Sequence, residues 1–254
     1  MIFDSHTHTT VSADGEMTGS EAVAAARAQG LGIMFTEHID FDYPGELVFE
    51  FDAGDYMSRY AGLRAADVRL GVEVGMQPQT LERTREFVYS APFDEVVGSV
   101  HLVDGQDIYE PACYAGTTKE TFYRRYFELM AQMVRSHGDF IDVLGHIDYI
   151  ARYATYDDPE LDYATFRAEI DDVLRACLAT ETVLELNTRR IASRRALESL
   201  RPIYARYREL GGLYITLGSD AHRAAAVGAD FASAEEFAHG LGLDIVSFRG
   251  RQRI

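Results

Sequence analysis

The chain begins MIFDSHTH (residues 1–8), in which a short β-prone segment runs directly into His6 and His8. The same arrangement, a short apolar run followed by polar side chains, recurs along the sequence. Helical patterns separate the runs, which predicts parallel strands joined by crossover helices. The predicted strands cover residues 2–4, 32–36, 68–74, 95–100, 140–144, 182–186 and 213–217, and a further strand-like stretch covers 244–248.

Helix start signals lie between the predicted strands. Thr18 with Glu21, and Thr117 with Glu120, have the spacing of an N-terminal cap and its partner. We therefore expect two helices that begin at these threonines and end near residues 30 and 138. Further helices are predicted over residues 163–179, 193–210 and 233–239.

Residues 40–60 form a connection that is longer than most between a strand and a helix. The segment is rich in acidic and aromatic side chains, including Asp42, Tyr43, Glu46 and Phe49. We expect either a lid that could accept a cationic amine or imidazole, or an ordinary acidic surface loop.

A polar side chain stands at or near the carboxyl end of every predicted strand. In a (β/α) barrel these ends converge on one rim, whereas in an open sheet they would form a line. Convergence therefore favours the barrel over a doubly wound open sheet. The residues concerned are His6, His8, Glu37, His38, Glu73, His101, His146, Asp148, Glu185, Asn187, Asp220 and His222.

Six of the eight histidines lie at these strand ends. Histidine together with Asp and Glu is a ligand set that suits Zn, Mn or Fe. His6 and His8, two residues apart on a strand, point to the same face and can hold one cation. His137 and His239 precede a glycine at the end of helical patterns, where a positive charge suits the helix dipole, so we exclude both. One such histidine is more often structural, but six in equivalent positions predict a metal centre.

The overall composition limits the partners of the protein. The chain has 254 residues, 47% of them hydrophobic, as in ordinary globular proteins. Acidic residues number 41 against 24 Lys and Arg, and the net charge of -17 disfavours binding to nucleic acid. We expect no membrane partner, since the apolar runs are too short to cross a bilayer. With no secretory pattern and two cysteines, a cytoplasmic location is expected.

The strand-end motifs resemble those of the polymerase-and-histidinol-phosphatase (PHP) family, in order and over residues 1 to about 228. This resemblance implies a distorted (β/α)7, TIM-like barrel, one domain over residues 1–254, with divalent metal ions at the carboxyl ends of the strands. The motifs are His6-Thr7-His8-Thr9, Thr36-Glu37-His38, Gly71-Val72-Glu73, Gly98-Ser99-Val100-His101, Gly145-His146 and Gly218-Ser219-Asp220-Ala221-His222.

The resemblance also implies three metal ions, Zn, Mn or Fe, and the ligands of each. The first group is His6, His8, Glu73 and Asp220; the second is Glu73, His101 and His146; the third is Asp14, His38 and His222. Some members have histidine where Asp14 stands, and the Asp14-Gly15 pair alone would indicate only a turn. Glu73, Asp220 and His222 are the ligands expected to take part directly in catalysis.

Within the family, the histidinol-phosphate phosphatases are the most similar, on residues 142–153 (DVLGHIDYIARY) and 185–188 (ELNT). This similarity implies a phosphoric monoester hydrolase of histidine biosynthesis that acts on L-histidinol phosphate, through a metal-bridging hydroxide. It also implies that arginines after the fifth and sixth strands bind the phosphate. These are Arg152 and one of Arg189 and Arg190, because adjacent residues on an extended chain face opposite ways.

Three alternatives and one question stay open. The chain could be a PHP phosphatase for another small phosphate ester, such as a nucleotide bisphosphate. It could be a metal-dependent amidohydrolase, although Lys119, the one lysine, lies at a helix start rather than on a strand, where a bridging lysine would be needed. It could be a non-catalytic metal-binding module, although such copies lose ligands and this chain retains all nine. Whether the chain forms a homo-oligomer is also open.

Overall fold

A computed structural model describes all 254 residues. Its main feature is an eight-stranded parallel sheet of order β1-β2-β3-β4-β7-β8-β9-β10, accompanied by two short antiparallel hairpins, β5-β6 and β11-β12. The strands are β1 (Phe3–Thr7), β2 (Gly32–Ile39), β3 (Val68–Gly75), β4 (Val96–Ser99), β5 (Leu102–Val103), β6 (Gln106–Asp107), β7 (Val143–Leu144), β8 (Val183–Asn187), β9 (Tyr214–Gly218), β10 (Asp244–Ile245), β11 (Phe248–Arg249) and β12 (Gln252–Arg253).

Eight α-helices connect and cover the strands. None of them combines the length and the apolar character that crossing a bilayer would require. They are α1 (Gly19–Ala28), α2 (Ala53–Tyr60), α3 (Leu81–Tyr89), α4 (Lys119–His137), α5 (Ile150–Tyr153), α6 (Arg167–Ala179), α7 (Arg194–Glu209) and α8 (Phe231–Leu241).

The sheet curls until its first strand meets the end of β9. The Asp220 N–H donates to the His6 carbonyl at 2.8 Å, and the His8 N–H donates to the Ala221 carbonyl at 2.9 Å. The start of β9 pairs instead with β10. The predicted distorted, TIM-like barrel is confirmed, and all seven predicted strands occur within three residues of their expected bounds. The predicted strand at 244–248 is shorter than expected, because the chain leaves β10 after Ile245 to form the last hairpin.

The helix caps follow the sequence prediction in one case and differ in another. Thr18 caps α1, and Glu21 completes the capping box, as predicted. At α4 the cap is Thr118, whose side chain accepts from the Thr121 N–H, so the prediction of Thr117 was wrong by one residue. Two consecutive threonines offer the same hydroxyl; Thr118 has the extended backbone of a cap, whereas the Thr117 hydroxyl donates to the Thr118 carbonyl.

The long connection after β2 is irregular only as far as Asp52. The Asp52 carboxylate accepts from the Asp55 N–H and begins α2, which the sequence analysis did not predict. Tyr56 and Tyr60 of this helix are buried in the core, and the Tyr56 hydroxyl donates to the Phe35 carbonyl at 3.0 Å. Helix α2 therefore fixes the second half of the segment, while residues 40–52 remain as a loop beside the carboxyl ends of the strands.

The amino ends of the strands are closed by the last hairpin. The Arg69 guanidinium donates to the Phe248 carbonyl at 2.7 Å, and Phe248 packs with Val97, Val143 and Val183 inside the barrel. Apolar packing therefore fills this end, and the polar strand ends lie at the opposite rim.

Candidate metal centre

The structure brings all nine predicted metal ligands together at the carboxyl rim of the barrel. His6, His8 and Glu73 are completely buried, whereas the side chains of Asp14 and His222 at the outer edge are 34% and 18% exposed. The nine residues therefore form a cluster that is deepest at Glu73 and opens to solvent at Asp14.

Glu73, on β3, lies at the centre of the cluster. Its Oε2 lies 3.2 Å from His6 Nε2 and 2.9 Å from His38 Nδ1. Its Oε1 lies 3.3 Å from His101 Nε2 and 2.9 Å from His146 Nε2. Its Oε2 also lies 3.5 Å from His8 Nε2. Oε2 therefore faces three imidazoles and Oε1 faces two, and a carboxylate placed in this way can bridge two cations.

The ligand atoms divide into overlapping groups, each within 4.8 Å. Two groups, His6 with His8 and Glu73, and Glu73 with His101 and His146, correspond to the first two predicted sites. The groups of three are His6-His8-Glu73, Glu73-His101-His146, His8-His38-His222 and His38-Asp40-His101.

The remaining two predicted carboxylates lie beside these groups. Asp220 Oδ1 lies 3.4 Å from His8 Nε2, next to the first group. Asp14 Oδ2 lies 3.0 Å from His222 Nε2 and 3.7 Å from His38 Nε2, whereas the group of three that contains both histidines has His8 as its third member.

Several of these atoms are buried without a hydrogen-bond partner. They include Nε2 of His6 and of His8, Nδ1 of His38 and Oε2 of Glu73. A buried polar atom left without a partner costs about 1–3 kcal/mol. Divalent metal ions would accept these nitrogen and oxygen lone pairs, so the residues present fit a metal centre.

The protonation of the cluster follows from burial and from opposed charges. Burial disfavours the charged form of Glu73, but the positive charges of His6, His38 and His101 hold its pKa well below the ordinary value. Burial alone would lower the pKa of His38, but Glu73 and Asp14 raise it to about 9. Without metal, His38 therefore keeps a proton on a nitrogen that a metal ion would use, whereas burial lowers the pKa of His8 and of His146.

Two carboxylates orient the imidazoles from behind. Glu185 Oε1 accepts from His6 Nδ1 at 2.7 Å, and its Oε2 accepts from the His146 backbone N–H at 2.6 Å. Asp40 Oδ1 accepts from His101 Nδ1 at 2.8 Å. These bonds direct Nε2 of His6 and His101 toward Glu73. The sequence analysis did not assign Asp40, although its position two residues after His38 was the available signal.

The three predicted phosphate-binding arginines have different surroundings. Arg152, on α5, forms an ion pair with Asp220, and its Nε and Nη2 are buried without a partner. Arg189 donates to the Asp220 carbonyl at 3.1 Å and lines the cleft. Arg190 points elsewhere and pairs at 2.9 Å with Asp148, so the structure does not bring it to the cluster.

A cleft of about 820 Å³ opens above the cluster. Aromatic side chains line it together with acidic side chains from β6 and from the loops after β2 and β6. The aromatic residues are Tyr43, Phe49, Tyr109, Tyr149 and Tyr153, and these acids are the exposed Glu46 and Glu110 and the buried Asp107. This volume is that of a small-molecule site.

Comparisons with known proteins agree with this geometry. A family model described as PHP domain matches residues 4–189. The probable histidinol-phosphatase of Clostridium acetobutylicum is 41% identical over 251 residues, which is 99% of this chain and 98% of that protein. The histidinol-phosphatase of Lactococcus lactis subsp. lactis is 33% identical over 226 residues, which is 86% of this chain and 83% of that protein.

A solved structure is similar over the same length. It is the crystal structure of histidinol phosphate phosphatase from Lactococcus lactis subsp. lactis complexed with zinc, L-histidinol and phosphate. The TM-score is 0.92 at 30% sequence identity, and the match covers 100% of this chain and 98% of the other.

The metal-free protein should lose stability as the pH rises from about 6.5 to about 9. Because the pKa of His38 is raised from 6.5 to about 9 in the folded state, its stabilising contribution is complete below 6.5 and is lost through 9. The expected loss is about 3 kcal/mol in the free energy of unfolding. Urea denaturation of chelator-treated protein measures it, with zinc-loaded protein as the control. A metal-free protein that becomes more stable over this range would contradict the prediction.

Proposed function

The chain belongs to the PHP domain family, and from this premise we infer that it hydrolyses L-histidinol phosphate to L-histidinol and phosphate. It is a phosphoric monoester hydrolase of the histidinol-phosphatase type. The observation that carries the inference is the convergence of six histidines and Glu73 on one buried cluster, in a chain similar over its full length to a phosphatase bound to zinc, L-histidinol and phosphate.

The cofactor is divalent metal, and we propose three ions held by the three ligand groups. Glu73 would belong to the first and second, Asp220 to the first, and Asp14 to the third. When bound, such ions lower the pKa of coordinated water and neutralise charge on phosphoryl oxygens. Glu73 supports two of these ions, because its Oε2 and its Oε1 face different imidazoles. Asp14, which lies beside His222 and His38, supports the third.

Arg152 and Arg189 are proposed to bind the phosphate. Burial disfavours the charge of Arg152, but Asp220 and Asp148 raise its pKa above the ordinary value, so it stays a cation. Two of its buried nitrogens have no partner in the protein and are free to donate to phosphoryl oxygens. Asp220 contacts Arg152 and also belongs to the first ligand group, so it would hold the phosphate-binding guanidinium next to the first metal ion.

The outer cleft suits the cationic end of the same substrate. L-Histidinol phosphate carries an ammonium group and an imidazole as well as the phosphate. Asp107 is held in place by the Tyr43 hydroxyl at 2.5 Å and by the Tyr109 N–H at 2.8 Å. Glu46 and Glu110 are exposed and form no ion pair with a basic side chain. We propose that these acids receive the positive charge, between aromatic side chains that favour cations.

We propose that residues 1–254 form one domain that works in the cytoplasm. Similarity to one structure over the whole chain supports the single domain. Both cysteines are free and buried, which suits a reducing compartment.

A panel of phosphate esters tests the proposed substrate. The specificity constant kcat/KM of the zinc- or manganese-loaded protein for L-histidinol phosphate should exceed those for a nucleoside monophosphate, a nucleoside bisphosphate and p-nitrophenyl phosphate by about a hundredfold. That ratio corresponds to about 2.7 kcal/mol of transition-state discrimination. Phosphate release measures it. Equal constants across the panel, or a preference for a nucleotide, would reject L-histidinol phosphate as the substrate.

Arg152→Ala should raise KM for L-histidinol phosphate by about tenfold or more, because charge-assisted hydrogen bonds to phosphate would be lost. Steady-state kinetics and metal content should be measured together, since Arg152 also contacts Asp220. Arg190→Ala is the matched control, and its KM should stay unchanged because Arg190 pairs with Asp148 and Glu160. Equal effects of the two substitutions would exclude a specific phosphate contact at Arg152.

Glu110→Gln should weaken the preference for a cationic substrate. We expect kcat/KM for L-histidinol phosphate to fall by about two- to fivefold, since an exposed charge contact of about 0.2–1 kcal/mol is lost, while that for p-nitrophenyl phosphate should not change. Glu16→Gln removes one negative charge from the opposite side of the cleft, where Glu16 already pairs with Arg223. This control should alter neither constant. A parallel loss on both substrates would show that Glu110 does not select the cation.

A further inference from the structure

Asp14 is the most weakly anchored of the proposed ligands. It lies between β1 and α1 in a turn without regular structure, and its side chain is 34% exposed. Yet its carboxylate faces His222 and His38 at 3.0 Å and 3.7 Å. Some other part of the protein must hold this turn in place, because an isolated turn of this kind would sample many conformations.

Glu37 provides that support from the outer face of β2. Its carboxylate is completely buried and accepts from the backbone N–H groups of Thr9 and Ser12 at 3.0 Å and 3.1 Å. It also accepts from the Thr9 hydroxyl at 2.6 Å and from the Ser12 hydroxyl at 2.7 Å. The turn folds back closely, since a Cβ at Gly15 would meet the Thr9 carbonyl at 1.9 Å. One carboxylate therefore satisfies four donors of the segment that leads to Asp14.

Ser12 connects Glu37 to two histidines. A hydroxyl has one proton to donate and two lone pairs with which to accept. The Ser12 proton goes to Glu37, so the hydroxyl accepts from the His38 backbone N–H at 3.0 Å and from His8 Nδ1 at 3.3 Å. This network assigns the ring proton of His8 to Nδ1 and leaves its Nε2 lone pair facing Asp220.

We propose that Glu37 is a positioning residue that holds the Asp14 turn in its metal-binding position and fixes the tautomer of His8 through Ser12. The inference rests on the ligand groups proposed above. It does not depend on the substrate, because its readouts are metal content and ring protonation rather than turnover. Glu37 thereby acts on two of the proposed ligand groups. It acts on the third group through Asp14 and on the first group through His8.

Glu37→Gln is the sharpest test, because it retains shape and removes the charge. The amide NH₂ replaces one carboxylate oxygen, so in either orientation it faces the Thr9 N–H, and in the orientation that also faces Ser12 it would donate to the Ser12 hydroxyl. Zinc content after dialysis against a graded zinc buffer should fall by about one ion per chain, and the remaining ions should bind about ten- to a hundredfold more weakly. Asp171→Asn, a buried carboxylate on α6 remote from the cluster, is the control and should keep the wild-type content.

Ser12→Ala separates the two effects and is the milder variant if Glu37→Gln does not fold. It preserves the Glu37 contacts to Thr9 and to the residue 12 backbone, so the Asp14 turn and the third ion should remain. Nitrogen-15 NMR of the histidine rings in zinc-loaded protein should show His8 protonated at Nδ1 in the wild type, and this signal should shift or broaden in both variants.

Two results would overturn the proposal as a whole, and a third would overturn the part that concerns Asp14. One is a Glu37→Gln protein with the zinc content, affinity and His8 ring signal of the wild type. Another is a loss of zinc in Asp171→Asn that matches the loss in Glu37→Gln, because general destabilisation would then explain both. A wild-type chain that binds fewer than three ions would remove the role of Asp14, and with it the part of the inference that concerns the turn.

Discussion

The buried carboxylate of Glu73 imposes the main constraint on this structure. A charged group without solvent must be matched by opposite charge at short range, since desolvation otherwise costs several kcal/mol. Histidine nitrogens from several strands lie around Glu73, at 2.9 Å for His38 and for His146. In this cluster, protons and metal ions therefore compete for the lone pairs of the imidazole nitrogens and of Glu73. The barrel brings these side chains to one place.

The strand ends can approach this closely because glycine occupies the crowded positions. A Cβ at Gly218 would meet Glu185 Oε1 at 2.1 Å, and one at Gly145 would meet the Ser99 hydroxyl at 2.4 Å. A Cβ at Gly75 would meet Asp40 Oδ1 at 1.9 Å. Each glycine lies beside a polar group that contacts a proposed ligand. At Gly145 and Gly218, which precede His146 and Asp220, the motif is therefore required by packing as well as by the chemistry of the site.

The sequence was sufficient to predict which side chains form the cluster, but not which residues support them. His6 and His101 could be found because strand ends of a parallel barrel meet at one rim, and the alternation of side chains on a strand decides which residues point inward. Asp40 and Glu37 are also acidic residues near the end of β2, as a ligand could be. Only the folded structure shows that Asp40 accepts from the ring of His101 and that Glu37 accepts from the turn before Asp14. Arg189 and Arg190 could not be separated either, because they lie in a short 3-10 turn rather than on an extended chain.

The charge of the whole chain and the charge needed at the site have opposite signs. A net charge of -17 would repel a phosphate ester, unless the cluster reverses the potential locally. Arg189, which lines the cleft, the buried Arg152 beside Asp220 and the proposed metal ions would do so near the cluster, whereas Glu46, Asp107 and Glu110 add negative charge to the lining of the cleft. A substrate with an anion at one end and a cation at the other matches this polarity. A phosphate ester without a cation would keep the contacts to the metal ions and arginines but would lose the contacts to the acidic side chains. Under the proposed function, the acidic composition that disfavours nucleic acid would also serve, along this cleft, to select an amine.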